Sequence, residues 1–329
     1  MKPAHSPLFS SECMLAAFLT TVFFSLSAIF ANRSIRAVGA TRANLGRLLV
    51  AAVVLGVYAH IWGAGMSGSA VGWLLLSGVV GMGLGDLASF GALPILGSRL
   101  TVLVTQCVAA PLAALFEYLW LGTALTARQM GWSSVILAGV VLALVPSRQN
   151  PPRVKVKAIG FLWGLGAAAG QGVGAVLSRK ALNVAEQAGE ALDGITGAYQ
   201  RILGGLLITG AFFAAQGALA RWRERRLASA EALARKSIVT ASEIQSKDHS
   251  WRRYGWIPLN ALCGAVIGVS CYQWALFTTP SGIVLPIVAT TPLVIVPLAF
   301  WIENERPTAR SLIGGAVAVV GAVGLALAR

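Results

Sequence analysis

Charge is what this chain has least of. Only 12% of its 329 residues are charged, about half the share of an ordinary soluble domain, so water is not its main solvent. Histidine is scarcer still. His5, His60 and His249 stand far apart, without metal-ligand spacing and without a nucleophile beside them, which argues against a membrane enzyme and implies no metal or other cofactor. No G-x-x-x-x-G-K-[ST] run is present, so a nucleotide-driven pump is excluded and any transport must draw on an ion or solute gradient. The few cysteines, Cys13, Cys107, Cys263 and Cys271, all fall in apolar segments and read as small packing residues rather than a disulfide framework.

Apolar residues make up 56% of the chain. Windows of roughly 20 residues, the length a helix needs to cross a bilayer, recur at 13–31, 48–66, 70–92, 100–121, 129–146, 158–178, 195–216, 256–278, 281–302 and 309–328. Five precede the Pro151-Pro152 linker and five follow it. The first lacks a convincing small-residue cleavage site and reads as a retained helix rather than a signal peptide.

The two halves also repeat each other. Gly72, Trp73, Gly81, Gly85, Ala92, Leu93 and Ser98 reappear 183 positions later as Gly255, Trp256, Gly264, Gly268, Ala275, Leu276 and Ser281. Further on, Pro111 and Leu112 answer to Pro292 and Leu293, and Thr126, Ala127 and Arg128 to Thr308, Ala309 and Arg310. A half with an odd number of crossings places its duplicate upside down in the bilayer. The expected fold is therefore an all-α integral membrane protein of ten transmembrane helices, arranged as two inverted five-helix repeats. The first repeat spans 1–147, a linker 148–157, and the second repeat 158–329 with a basic loop at 217–255.

The net charge of +14 suggests nucleic acid in a soluble protein, but here the basic residues crowd into loops, where they report orientation against anionic lipid. Arg33, Arg36, Arg42, Arg99, Arg148, Arg153, Lys155, Lys157, Arg306, Arg310 and nine basic residues from Arg221 to Arg253 share one face. The other holds Lys2, Arg128, Arg179, Lys180 and Arg329. The charge rule thus puts both termini outside and the 217–255 loop in the cytoplasm. That loop leaves room for a second reading, a non-transporting membrane scaffold or sensor.

Residues inside the helices suggest a solute path. Asp86 is costly to hold in lipid, on the order of 2.5 to 3.5 kcal/mol at a helix centre, and so reads as a candidate proton-coupling group. Its repeat counterpart is Val269, so the charge is not part of the duplicated scaffold. Ser89 and Phe90 share its helical face. Pro111, Pro286, Pro292 and Pro297 each remove a helical hydrogen bond and read as helix-bending positions lining an interior. Near them come Thr105 and Gln106, then Thr290 and Thr291. Trp163 and Gln171 recur on one face with Ala167, and Tyr272, Gln273 and Trp274 lie in the eighth segment; these amides, hydroxyls and rings suit a small polar solute. Glu117 lies near a helix end, where it is expected to reach the interface and meet Arg128 or Arg99. G-x-x-x-G pairs at Gly81 and Gly85, at Gly264 and Gly268, and along 160–174 predict close helix contacts.

Taken in order, these motifs resemble the drug/metabolite transporter superfamily, in particular the EamA-type permeases. The second half carries the pattern as Tyr272-Gln-Trp-Ala-Leu276, Ser281, Pro292-Leu293, Glu305-Arg306, Gly314, Gly315 and Gly321. The first carries it as Phe90-Gly-Ala-Leu93, Ser98, Pro111-Leu112, Leu121-Gly122 and Gly139, with Thr123 in place of the pattern's Glu. The arginine that often opens the second helix of each family repeat looks like Arg47 and Arg201. The resemblance implies a bacterial inner-membrane permease that exports a small organic solute, such as an amino acid or related metabolite, between its two halves. The expected partners are that solute and membrane lipids, with Asp86 the candidate for proton coupling, and not nucleic acid. It also implies both termini in the cytoplasm, against the loop charges.

Overall fold

A chain surrounded by lipid must satisfy its backbone hydrogen bonds within itself, and every regular element among the described residues is a helix. The computed structural model describes residues 11–145, 157–234, 255–291, 293–294 and 309–328. In chain order the helices are α1 Ser11–Val38, α2 Ala40–Ile61, α3 Val71–Gly78, α4 Asp86–Leu121, α5 Ala127–Leu144, α6 Ala158–Gln187 and α7 Gly194–Ala234. They continue as α8 Trp256–Asn260, α9 Val269–Thr278, α10 Ser281–Val288 and α11 Ala309–Leu327. Seven stretches are long and apolar enough to cross a bilayer: Leu15–Ile35, Ala40–Ile61, Val71–Ser89, Leu103–Leu121, Ala158–Gln187, Gly194–Trp222 and Trp256–Thr278. Ala127–Ala143 and Leu312–Leu325 are shorter apolar helices. Of the segment expected at 281–302, α10 forms the start; Pro292, Pro297, Glu305 and Arg306 lie outside the described residues.

The repeat seen in the sequence has a physical form. Helix α3 widens into a π-helical turn at Val79–Gly85 before α4 begins at Asp86, and α8 widens likewise at Ala261–Gly268 before α9 begins at Val269. Glycine is the weakest helix former after proline, and Gly81, Gly83 and Gly85 in one turn and Gly264 and Gly268 in the other lower the cost of leaving α geometry. Bare backbone there lets a neighbour come close. A methyl added at Gly85 would lie 3.5 Å from Gly170 of α6, and one at Gly81 would lie 3.6 Å from Gly174. Ser77 Oγ donates to the Gly174 carbonyl at 2.6 Å. The second turn is met instead by α1: Gly264 lies against Ser27 and Gly268 against Phe24, while Ser27 Oγ donates to Asn260 Oδ1 at 2.6 Å. Each half's first helix thus packs on the other half's third.

Helical structure is unbroken from Asp86 to Leu121, whereas the sequence places two crossings with a loop between them. Contacts along α6 show where the chain reverses. Gly166, Gly170 and Gly174 face Ala88, Gly85 and Gly81 in descending order, while Gly160, Gly164 and Gly172 face Leu96, Val104 and Ala109 in ascending order. One straight rod cannot run both ways beside α6, so the chain turns back between Leu96 and Val104. Two arms result, joined without the non-helical loop that the sequence places between two crossings.

Helix α5 pairs with α11. Gly139 lies against Ala318, Gly314 against Ala143, Gly321 against Ile136 and Gly324 against Trp132, an antiparallel contact lined by glycine along its length. The start of α5 is fixed by a capping box, with Thr126 Oγ1 accepting from the Gln129 N–H at 3.3 Å and Gln129 Oε1 accepting from the Thr126 N–H at 3.0 Å. Thr126→Ala is expected to cost about 1 kcal/mol, read as a lower thermal midpoint of the purified protein in detergent.

Not all of the expected basic loop is a loop. Helix α7 runs through to Ala234 and so carries Arg223, Arg225 and Arg226 beyond the apolar span Gly194–Trp222; residues 235–254 lie outside the described residues. At about 1.5 Å per residue its 41 residues reach about 60 Å, twice the hydrocarbon thickness, so its basic end projects past the bilayer core.

Candidate functional site

Two arginines organise the polar interior. Arg47 comes from α2, where Asn44, one turn earlier, aims its guanidinium: Asn44 Oδ1 accepts from Nη2 at 2.7 Å and from Nε at 3.1 Å. Nη2 also donates to Asp86 Oδ2 at 3.0 Å. Asp86 stands at the first position after the π-helical turn, so the widened backbone sets its direction. Both side chains keep some accessible surface, 22% for Arg47 and 31% for Asp86.

The second arginine is deeper. Arg201 of α7 is 4% exposed and donates from Nη1 to Gln273 Oε1 at 3.0 Å. Its Cζ lies 5.2 Å from the ring centroid of Tyr272, a cation–π contact within the usual range. Gly81 and Gly174 make room for it: a methyl on either would come within 2.8 Å and 3.3 Å of Nη2. Arg201 Nε and Gln273 Nε2 have no hydrogen-bond partner among the described residues, and the Tyr272 hydroxyl has none beyond its approach to Arg201 itself. Buried polar groups are nearly always paired, so three in one contact mark an exception that needs a reason.

Of the residues singled out in the sequence, Asp86, Tyr272 and Gln273 belong to this constellation. Ser89 lies one turn beyond Asp86 and is partly buried; the side chain of Phe90 lies outside the described residues. Thr105 is buried with its hydroxyl unpartnered, and Gln106 is partly buried. Gln171 is partly buried on the glycine-rich stretch of α6. Trp163 is 46% exposed and packs on Gly91, and Trp274 is 40% exposed, so both rings lie toward the outer surface. Pro111 is also exposed. Pro286 is buried in α10, and just after it Thr290 and Thr291 donate their hydroxyls to the carbonyls of Ile287 and Val288, each at 2.6 Å. Helix α1 adds Thr21 Oγ1 to the Ile287 carbonyl at 3.3 Å and Ser25 Oγ to the Thr291 carbonyl at 2.9 Å. These hydroxyls satisfy backbone that a broken helix leaves open. Their signal in the sequence is the run Thr20, Thr21, Ser25 and Ser27, all buried, inside an apolar segment.

A second ion pair involves a partner the sequence did not suggest. Glu117 is 1% exposed and pairs with Arg179 rather than with Arg128 or Arg99. Its Oε1 accepts from Arg179 Nε at 3.1 Å, and its Oε2 accepts from the Ser281 N–H at 2.6 Å and from the Ser281 hydroxyl. Arg179 Nη1 donates in turn to the carbonyls of Leu276 and Phe277 at 2.8 and 3.4 Å. The carboxylate therefore holds the first residue of α10 while the guanidinium holds the end of α9. Asp86 is not the only acid in an apolar span.

Cys107, Cys263 and Cys271 are free thiols, and among the described residues no three His, Cys, Asp or Glu side chains gather to hold a metal.

A bundle of long apolar helices with charges paired at depth defines a polytopic membrane protein. The chain matches the EamA-like transporter family over residues 11–145 and 158–327, and it belongs to that family. It is thus a membrane transporter of the drug/metabolite type. A solved structure described only as a crystal structure of a protein shares 18% identity with it and superimposes at a TM-score of 0.65, covering 95% of this chain and 96% of the other; the likeness is one of fold. No curated protein matches the chain.

Proposed function

We propose that the protein is a secondary carrier, an exporter of a small organic solute of the bacterial inner membrane, working by alternating access at a site between two inverted five-helix repeats. The repeats occupy 1–147 and 158–329, joined by the 148–157 linker. The observation that carries this reading is the pair Asp86–Arg47 of one half lying within electrostatic range of Arg201, which contacts Tyr272 and Gln273 in the other.

The inversion is supported by the way contacts map onto each other. The 183-residue spacing relates Ser77, Gly81 and Gly85 to Asn260, Gly264 and Gly268, and each set packs on the first helix of the opposite half. Along α5 and α11 the contact of Gly139 with Ala318 becomes, under the 182-residue spacing, that of Gly321 with Ile136, which is also made. A self-complementary antiparallel contact is what a two-fold axis between two copies produces. If both helices cross the bilayer, that axis lies in its plane, and the rocking of one half against the other exposes the shared site to each side in turn.

The test is exchange in liposomes. Purified protein is reconstituted with a mixed internal pool of amino acids and related metabolites, and labelled solute is added outside, with and without a pH gradient. Saturable exchange is the expected result; none across the panel supports instead a non-transporting scaffold acting through the basic 217–255 segment. Asp86→Asn is expected to abolish any effect of the pH gradient on flux, because the amide cannot take up or release a proton. Flux in that variant that still responds to the gradient would remove Asp86 from the coupling role.

A further inference from the structure

The charges around the candidate site do not balance. Arginine keeps its proton in proteins, so Arg47 and Arg201 bring two positive charges, and Asp86 brings one negative charge that Arg47 already engages. Asp86 lies within electrostatic range of Arg201, yet no hydrogen bond or ion pair joins them. Arg201 instead has a neutral amide and an aromatic face as neighbours. One positive charge in the interior of an apolar bundle is thus left without a counter-charge among the described residues. Buried charges are paired, because leaving one unpaired is among the costliest arrangements a protein interior can hold.

The unpartnered atoms beside it say what kind of group is missing. Arg201 Nε and Gln273 Nε2 are N–H donors without acceptors, and the Tyr272 hydroxyl is free to donate. Two donors beside the guanidinium, together with its own unpartnered Nε, call for an acceptor-only group with more than one oxygen. We infer that Arg201, Gln273 and Tyr272 form a receptor for the carboxylate of a monoanionic solute, with the partly accessible Asp86–Arg47 pair beside it. A carboxylate accepts from the guanidinium fork in two parallel bonds, and its single negative charge brings the site to neutrality. A phosphate monoester, at about −1.5 to −2, overshoots that balance. A neutral or cationic solute leaves the charge of Arg201 unmatched. This inference rests on the carrier reading, which it deepens by naming the solute class.

Binding to the full-length protein in detergent tests it without knowledge of the natural solute. Thermal midpoints are measured with propionate and benzoate, with the matching amides propionamide and benzamide, and with chloride and inorganic phosphate as other anions. Carboxylates are expected to raise the midpoint and amides are not. Arg201→Gln is expected to weaken the carboxylate effect by roughly tenfold or more in apparent affinity, while Arg201→Lys, which keeps the charge and loses the fork, retains part of it. Tyr272→Phe removes one donor, leaves the charge in place, and supplies an intermediate loss should Arg201→Gln fail to fold. The inference is overturned if amides stabilise as well as acids, if chloride or phosphate matches the carboxylates, if no carboxylate shifts the midpoint, or if the shift survives unchanged in both Arg201→Gln and Tyr272→Phe. The carrier reading is scored separately by exchange in liposomes: absence of flux for acids and amides alike sinks that reading, whereas the carboxylate receptor is decided by the midpoints.

Discussion

Glu117→Ala is expected to lower the stability of the purified protein by about 3 to 5 kcal/mol, the cost of breaking a buried pair from one side. Both members are well shielded, with side-chain exposures of 2% for Glu117 and 12% for Arg179. Removing the carboxylate strands the guanidinium of Arg179 at depth and also leaves the Ser281 N–H without its acceptor at the start of α10. The Leu276 and Phe277 carbonyls that Arg179 keeps are dipoles, and they offset only part of a full charge. Membrane proteins often unfold irreversibly, so the readout is the shift in apparent midpoint at one fixed heating rate. The double replacement Glu117→Gln with Arg179→Met, which removes both charges while keeping volume, is expected to recover most of the loss. A single variant that melts like the parent would mean that water reaches the pair and that its strut role between α4, α6 and the α9–α10 corner is unsupported.

Gly78→Ala is expected to have the second large effect, on packing rather than charge. A Cβ at Gly78 would lie 1.8 Å from the carbonyl oxygen of Arg201, and one at Gly204 would lie 2.0 Å from that of Leu75. Both obstacles are backbone, so no side chain can rotate away; α3 and α7 must separate instead. Overpacking of this kind costs about 1 to 3 kcal/mol and at times more. It also displaces Arg201 from Gln273. Gly210→Ala on the same helix serves as the control, since nothing lies within 4 Å of its Cβ position and alanine there gains up to about 1 kcal/mol in helix propensity. Size-exclusion profiles and solute exchange for the two glycine variants give the comparison. Equal behaviour of Gly78→Ala and Gly210→Ala would contradict the close approach of the two backbones.

Much of the architecture was legible because lipid judges residues locally. The repeat of Gly81 and Gly85 as Gly264 and Gly268 marked in advance both close helix contacts, and the structure adds that these are the two places where the helix widens. Asp86, Tyr272 and Gln273 were legible as a polar group in an apolar helix, one residue at a time. Arg201 was legible in the same way, a lone arginine inside the apolar segment 195–216, yet it read as a family position rather than as part of the site. Glu117 was assigned the wrong partner because its place near the helix end suggested loop arginines, whereas its pairing depends on what packs beside it. Thr290 and Thr291 read as solute contacts; their donation to the carbonyls three residues back is a local pairing that the sequence did not bring out. The outward positions of Trp163 and Trp274 have the same origin: a helical face is legible, but the neighbour it meets is not.

By itself the sequence determined that this chain belongs in a membrane, that it is helical, that it is doubled, and that it resembles a permease. Those properties follow from composition, from windows of apolar residues and from spacings within one chain, and each costs or gains free energy residue by residue. Only the tertiary structure decided which charges meet. Arg47 with Asp86, Arg201 with Gln273, and Arg179 with Glu117 lie 39, 72 and 62 positions apart, and pairing at 3 Å depends on how helices fold back and cross. It is that arrangement, not the residue types, that leaves Arg201 without a counter-charge among the described residues.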